Sequence, residues 1–346
     1  MAKIIDFRSD TVTLPTAEML KAIATAPLGD DMKGEDPTVN KLEEMAAQLV
    51  GKEAALLLTS GTAGNLVAMA SHTNPGEEII LEAKAHIYWY EAGGIAALCN
   101  CLPRLIPGHY GVLDPDDVQA AIRDGSNVHH PPTTLVCLEN THNGHGGTVM
   151  TIEQMKAIKD VAHANGLKVH LDGARVFNAA VALGVHVREI AAQVDSLTFC
   201  LSKGLACPVG AILCGSAEFI AKARRVRKVI GGSMRQAGII AAPGIVALEK
   251  MIHRLADDHA NARLLAEALA PLGGIKLDLA TVQTNIVRFA LEGTDFNAHQ
   301  LAARLKERNI LIQDVDQGSI RMVTHKDISR GDVDYTIDVF RGIFPN

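Results

Sequence analysis

The chain has 346 residues, a length whose soft prior is two domains and which can bury a large core without disulfide or metal staples. Its 33 Lys and Arg against 39 Asp and Glu leave a net charge of −6, which gives no overall attraction to a phosphate backbone and argues against nucleic-acid binding. Six cysteines without a CxxC pair suit buried thiols in a reducing compartment, and neither an apolar run of membrane-spanning length nor an export signal in MAKIIDFRSDTVTLP is evident, so a soluble cytoplasmic protein is expected.

Apolar runs of strand length alternate with helical patterns. AALLLT (54–59) predicts a strand, followed by TSGTAGN (59–65), a glycine turn that opens a helix. KAHIYWYEAGG (84–94) holds the only tryptophan and two of the four tyrosines. LVCLE (135–139) predicts a second strand, running into the polar loop NTHNGHGG. Thr151 and Gln154 have capping-box spacing, with Met155, Ile158 and Val161 on one face before the Asn165-Gly166 stop. LKVHL (167–171), SLTFCL (196–201) and VGAILC (209–214) predict three more strands. KARRVRK (222–228) spreads its charges over several faces of a helix and reads as a solvated surface rather than a phosphate site. The chain then predicts one helix from about 239 to 270, a strand NIVRFA (285–290), a helix at 298–308, short strands at 310–313 and 319–323, and a final helix. This is βαβ grammar: an α/β fold with a mostly parallel sheet flanked by helices, residues 1–250, and a smaller C-terminal α+β domain, residues 251–346.

Open α/β sheets bind ligands at the carboxyl ends of their strands. Four unusual groups fall there. Ser60, Gly61 and Thr62 begin a helix whose amides attract an anion, although such a glycine turn is commonly structural. His86 offers a flat ring for stacking or is a core imidazole. Asp172 either caps a helix or holds a proton on a heteroaromatic nitrogen, and Arg175 either clamps a carboxylate or joins a salt bridge. Lys203 is the only charge between Ser196 and Ala217; it ends a strand and snorkels to water, or it is a Schiff-base amine in a dry pocket. Together the four imply pyridoxal 5′-phosphate as cofactor and an amino acid as substrate. His142 and His145 are a possible metal-ligand pair, and with His129 and His130 suggest a metal hydrolase. They lie outside any HExxH helix, and no metal is assigned.

The blocks FRSDTVT (7–13), GDDMKGEDPTVN (29–40), SGTAGN (60–65), HIYWYEAGG (86–94), LENTHNGHGG (138–147), HLDGARVFNA (170–179), CLSKGLACPVG (200–210), GGSMRQAGI (231–239) and IRMVTHKD (320–327) resemble the L-threonine aldolases, fold-type I pyridoxal-phosphate enzymes. That resemblance implies cleavage of L-threonine or L-allo-threonine to glycine and acetaldehyde, with a β-eliminating lyase or racemase as the alternative. It implies that Lys203 carries the cofactor, Asp172 pairs with its ring nitrogen, Ser60, Gly61 and Thr62 hold its phosphate and His86 stacks on its face. By the same resemblance Ser9, Arg175 and Arg321 grip the substrate carboxylate and His129 contacts the β-hydroxyl, so His86 and His129 are both candidate bases. Arg235 would reach the phosphate of a neighbouring subunit, in a homotetramer whose active sites lie at a dimer interface. Lys33, His130, Ala63, Cys207 and Ala211 depart from the usual pattern; none removes a catalytic function, and they bear on side-chain selectivity.

Overall fold

The protein is described by a computed structural model covering residues 3–123, 125–315 and 318–344. A short strand β1 (Ile5–Asp6) opens the chain. Strands β2 (Ala54–Leu58), β3 (Glu78–Glu82), β4 (Leu102–Ile106), β5 (Thr133–Glu139), β6 (Lys168–Asp172), β7 (Ser196–Cys200) and β8 (Ala211–Gly215) then form one sheet in the order β2-β8-β7-β6-β5-β3-β4. All neighbours in it are parallel except β8, which is antiparallel to both β2 and β7. The exception has a simple cause. Only residues 201–210 separate β7 from β8, and a parallel crossover needs a dozen or more.

Helices cover both faces of the sheet, so its strands read as continuous apolar runs: Leu56, Leu57, Leu58, Ile79, Ile80 and Leu81 are all inaccessible to water. The expected capping box is formed, with the Thr151 hydroxyl accepting from the amide of Gln154 at the start of the helix Ile152–Ala164. The expected helix 239–270 is instead two, Gly238–Lys250 and Leu255–Leu269. Asp257 and Asp258 open the second, where its dipole favours acidic side chains, and Arg254 forks onto Asp258. Among the described residues no helix is long and apolar enough to cross a membrane.

Strands β9 (Ile275–Lys276), β10 (Ile286–Leu291), β11 (Ile310–Leu311), β12 (Gln313–Val315) and β13 (Ser319–Val323) complete the strand set. Four of them form an antiparallel sheet in the order β12-β13-β10-β9, while β11 pairs in parallel with β1. This pairing matters for the site. Ile5 and Phe7 are buried in the apolar cluster of the second sheet, and the Phe7 carbonyl accepts from the amide of Val323. The N-terminal segment is thereby anchored on the C-terminal sheet and delivers residues 8–13 to the edge of the large one.

Two close approaches set the position of the helix Gly61–His72. A Cβ on Gly61 would stand 2.7 Å from the Cys200 sulfur, and one on Gly64 would stand 2.4 Å from the Thr198 methyl. Only glycine lets this helix lie so near β7, which brings its N-terminus beside the segment that carries Lys203.

Candidate active site

The carboxyl ends of β3, β5, β6 and β7 carry Glu82, Glu139, Asp172 and Cys200, all buried. Asp172 is held from two sides: its Oδ1 accepts from the amide of Ala174 at 3.1 Å, and its Oδ2 from Asn65 Nδ2 at 2.9 Å. The same Asn65 amide donates to Glu91 Oε1 at 2.9 Å. Asn65 cannot turn over, because its Oδ1 faces His170 Nε2 at 3.2 Å. Burial drives His170 down to about 4, so its ring is neutral near pH 7. A carbonyl oxygen only accepts; Nε2 therefore carries the hydrogen, and Nδ1 accepts from the Ser196 hydroxyl.

His86 begins the short helix His86–Trp89, and its backbone amide donates to Glu139 Oε2 at 2.7 Å. Its Nδ1 donates to Glu91 Oε1 at 3.0 Å, which leaves Nε2 without a hydrogen and able to accept one. Burial alone would lower the affinity of this ring for a proton. The Glu91 hydrogen bond, with Asp172 and Glu139 nearby, raises it above the ordinary value instead.

Arg175 is a buried guanidinium at the start of the helix Val176–Leu183. Its Nε and Nη2 donate to the two oxygens of Asp10, both at 2.7 Å. Burial of the Asp10 carboxyl would raise it, but Arg175, with Lys203 and Asn285, holds it well below the usual carboxylate range. The paired edge of Arg175 is thus occupied. Its Nη1 reaches Asn143 Oδ1 at 3.4 Å, an oxygen that also accepts from Arg321 Nη1 at 3.0 Å.

Arg321, on β13, is in a different state. Its Nη2 donates to Gln313 Oε1 at 2.5 Å and to the Arg8 carbonyl at 3.3 Å, while its Nε is buried with no partner. No carboxylate neutralises it among the described residues. Burial and then the charge of Arg175 pull its pKa down to about 10. It is a desolvated cation short of an anion.

Ser60 caps the helix Gly61–His72, its Oγ accepting from the amide of Ala63 at 3.1 Å, so the hydroxyl hydrogen stays available. The amides of Gly61 and Thr62 lie in the first turn, where no intrahelical acceptor exists. Lys203 follows β7, and its carbonyl accepts from the Thr13 hydroxyl at 3.1 Å. Among the described residues its ammonium makes no hydrogen bond or ion pair, yet its charge acts on both Asp10 and the buried Cys200 thiol, and Asp172 acts on that same thiol. Ser9 caps the turn Asp10–Val12, immediately before the Asp10 fork.

One region therefore brings together Ser9, His86, Asp172, Arg175, Lys203 and Arg321, with the helix start at Ser60, Gly61 and Thr62 against it. Two of the sequence candidates lie elsewhere. His129 is exposed in the loop before β5, at the opposite end of the strand from Glu139, about 20 Å away at the usual rise per residue. Arg235 is exposed and pairs with Asp30 of its own chain at 3.1 Å. Four participants were not singled out from sequence: Asp10, Asn65, Glu91 and Asn143. All lie inside or beside the quoted blocks, but a buried acid, two amides and a second carboxylate have no local signal that marks them as partners of an arginine and a histidine far away in the chain.

The family model for beta-eliminating lyases matches residues 6–292. The chain is 42% identical to low-specificity L-threonine aldolase 1 of Arabidopsis thaliana, covering 97% of this chain and 95% of that protein. It is 46% identical to the low-specificity L-threonine aldolase of Escherichia coli K12, covering 94% and 95%. In fold it is similar to the threonine aldolase of Leishmania major, with a TM-score of 0.85 at 21% identity over 98% of this chain and 99% of the other. The serine palmitoyltransferase of Sphingomonas wittichii superposes with a TM-score of 0.78 over 99% and 89%. The chain belongs to the beta-eliminating lyase family, within its threonine aldolase branch.

Proposed function

We propose that this chain binds pyridoxal 5′-phosphate and cleaves L-threonine, L-allo-threonine and related β-hydroxy-α-amino acids to glycine and an aldehyde. The observation that carries the reading is that Asp172 ends β6 and Lys203 follows the neighbouring parallel strand β7, whose last residue Cys200 packs against the helix start at Gly61. The residues fit the cofactor. A helix start with unsatisfied amides suits a phosphate, while Asp172 is a buried carboxylate held in one orientation by Asn65. Ser60, Gly61 and Thr62 would hold the phosphate, Asp172 the ring nitrogen, His86 the ring face and Lys203 the aldehyde carbon. When bound, the cofactor supplies an electron sink for the pair released as the Cα–Cβ bond breaks.

The chain's own residues do the rest. Arg321 receives the substrate carboxylate, because its part-buried guanidinium has an unpartnered Nε and, unlike Arg175, no carboxylate within ion-pair distance among the described residues. Arg175 backs it rather than competing for the anion, since Asp10 already occupies its forked edge. Ser9 stands one residue from that fork and supplies a hydroxyl on the same side. His86 is the base: with Nδ1–H committed to Glu91, Nε2 takes the β-hydroxyl proton and returns it. His129 and Arg235 would serve the site of a second copy, as a homotetramer with its sites at a dimer interface requires. The same reading assigns residues 1–250 to the cofactor-binding part and 251–346 to the smaller one. It is supported by the change of apolar cluster between Leu255 and Ala262.

Purified wild-type protein should absorb in the visible and release aldehyde, not ammonia, from L-threonine; Lys203→Ala should lose both the band and the aldehyde. Ammonia as the product would move the activity to β-elimination. Arg321→Lys should lose about 1.5–3 kcal/mol of binding to the carboxylate, roughly a 10- to 150-fold fall in kcat/KM carried mainly by KM. An unchanged KM would place the carboxylate elsewhere.

The pH dependence has a definite sign. A base must be neutral, so activity rises with pH through the raised pKa of His86. Glu91→Gln removes the hydrogen bond that favours imidazolium, and the acid limb of the kcat profile should move to lower pH. A limb that stays in place would take the base role from His86. Light scattering on the purified protein should give the mass of a tetramer, and a monomeric mass would leave His129 and Arg235 without a site to serve.

A further inference from the structure

The pair His142 and His145 is unused in the proposed reaction, and the fold supplies it with a third member. Glu82 ends β3, and the loop after the neighbouring strand β5 turns both imidazoles onto its carboxylate. His142 Nε2 lies 3.0 Å from Glu82 Oε2, and His145 Nε2 lies 3.3 Å from Glu82 Oε1. The two rings meet edge on, with centroids 4.8 Å apart. One ligand atom from each residue falls within a sphere in which all are 4.8 Å or less from one another.

His142 is 1% exposed, yet neither of its ring nitrogens makes a hydrogen bond. Its Nε2 stands 3.0 Å from Glu82 Oε2, within ion-pair distance but off the direction of an N–H bond. Such a buried, orphaned imidazole costs stability unless something else occupies its lone pair. A second carboxylate, Glu139, comes within 3.7 Å of the same nitrogen. Its oxygens accept from the amides of His86 and Asn143, so two buried acids face one imidazole. The ring has no freedom to relax. A Cβ on Gly111 would stand 2.5 Å from its carbons, and Arg288 Nη1 donates to the Gly144 carbonyl to pin the loop between the two histidines.

We propose that Glu82, His142 and His145 form a site for a divalent transition-metal ion of the zinc type, separate from the cofactor site. Two imidazole nitrogens and one carboxylate oxygen are a zinc donor set that leaves one position for water. Tetrahedral zinc with bonds of about 2.0–2.1 Å sets its ligands roughly 3.3 Å apart; here the two imidazole nitrogens lie 3.0 and 3.3 Å from the two oxygens of Glu82, and one ligand atom from each residue lies within 4.8 Å of the others. The ion cancels the excess acid around His142. It also fixes the loop that carries the proposed base, because Glu82 Oε2 accepts from the amide of Lys84, two residues before His86. The site is a structural clamp on that loop and takes no part in bond cleavage.

The test is zinc binding to the intact, cofactor-loaded protein after dialysis against a chelator, by competition with a chromophoric indicator. Wild type should take up one tightly held Zn2+ per chain. His145→Ala, a change at a part-exposed loop position, should weaken that uptake at least about tenfold, as should Glu82→Gln. His109→Ala, an exposed histidine outside the cluster, should leave it unchanged. The assignment is overturned if wild type binds no more zinc than His145→Ala, or if both ligand variants keep wild-type affinity while far-ultraviolet circular dichroism shows them folded. Because the readout is metal uptake, its failure would leave the aldolase reading untouched, and loss of aldehyde release would leave the metal site untouched.

Discussion

The buried fork between Arg175 and Asp10 organises this molecule. A guanidinium and a carboxylate are costly to remove from water, and the cost is offset only when geometry is close to ideal and other partners complete the shell. Here both Asp10 oxygens are used, and Asn285 adds a further hydrogen bond from the C-terminal sheet. Asp10 belongs to the N-terminal segment, Arg175 follows β6 of the large sheet, and Asn285 precedes β10. One ion pair thus joins three parts of the chain that contribute to the site. Removing either member would leave an uncompensated charge in the interior, so the arrangement is held as a unit.

That unit has an electrostatic consequence. With Arg175 neutralised by Asp10, Arg321 keeps a charge with no carboxylate within ion-pair distance among the described residues, and the nearby charge of Arg175 destabilises it further. On the proposed function, a substrate carboxylate at Arg321 would relieve both the repulsion and the unpaired Nε. Two arginines close in space therefore differ in state: Arg175 is buried in its pair, while Arg321 is part-buried and has no carboxylate within ion-pair distance among the described residues. The adjacent network works by the same logic in the opposite sense. Neutral His170 orients Asn65, and Asn65 orients Asp172 and Glu91 through two donors. Glu91 in turn fixes the tautomer of His86. Each polar group has its direction decided by a neighbour that cannot turn.

Much of the fold was legible in the residues. Continuous apolar runs announced buried strands, the Thr151 and Gln154 spacing announced a helix start, and the glycine turn at 60–65 announced a helix N-terminus beside a strand end. These signals are local, so they survive without tertiary context. The sequence predicts a single helix over 239–270 because the break itself, residues 251–254, contains no glycine or proline. The interruption arises where Asp257 and Asp258 favour a new first turn and Leu255 packs inward. The antiparallel β8 was equally local in principle, since the ten-residue connection forbids a crossover, but strand order is not written in periodicity.

By itself, the sequence determined the element pattern, the strand ends that carry chemistry and the family resemblance, because each of these depends on neighbours in the chain. Only the tertiary structure decided which groups are partners. Asp10 and Arg175 are 165 positions apart, His142 and Glu82 are 60 apart, and His129 is close in sequence to β5 yet at its far end. Whether an arginine clamps a ligand or a buried aspartate, and whether a histidine pair has a third donor, depends on distances and desolvation. Those are properties of folded space, and a linear pattern does not contain them.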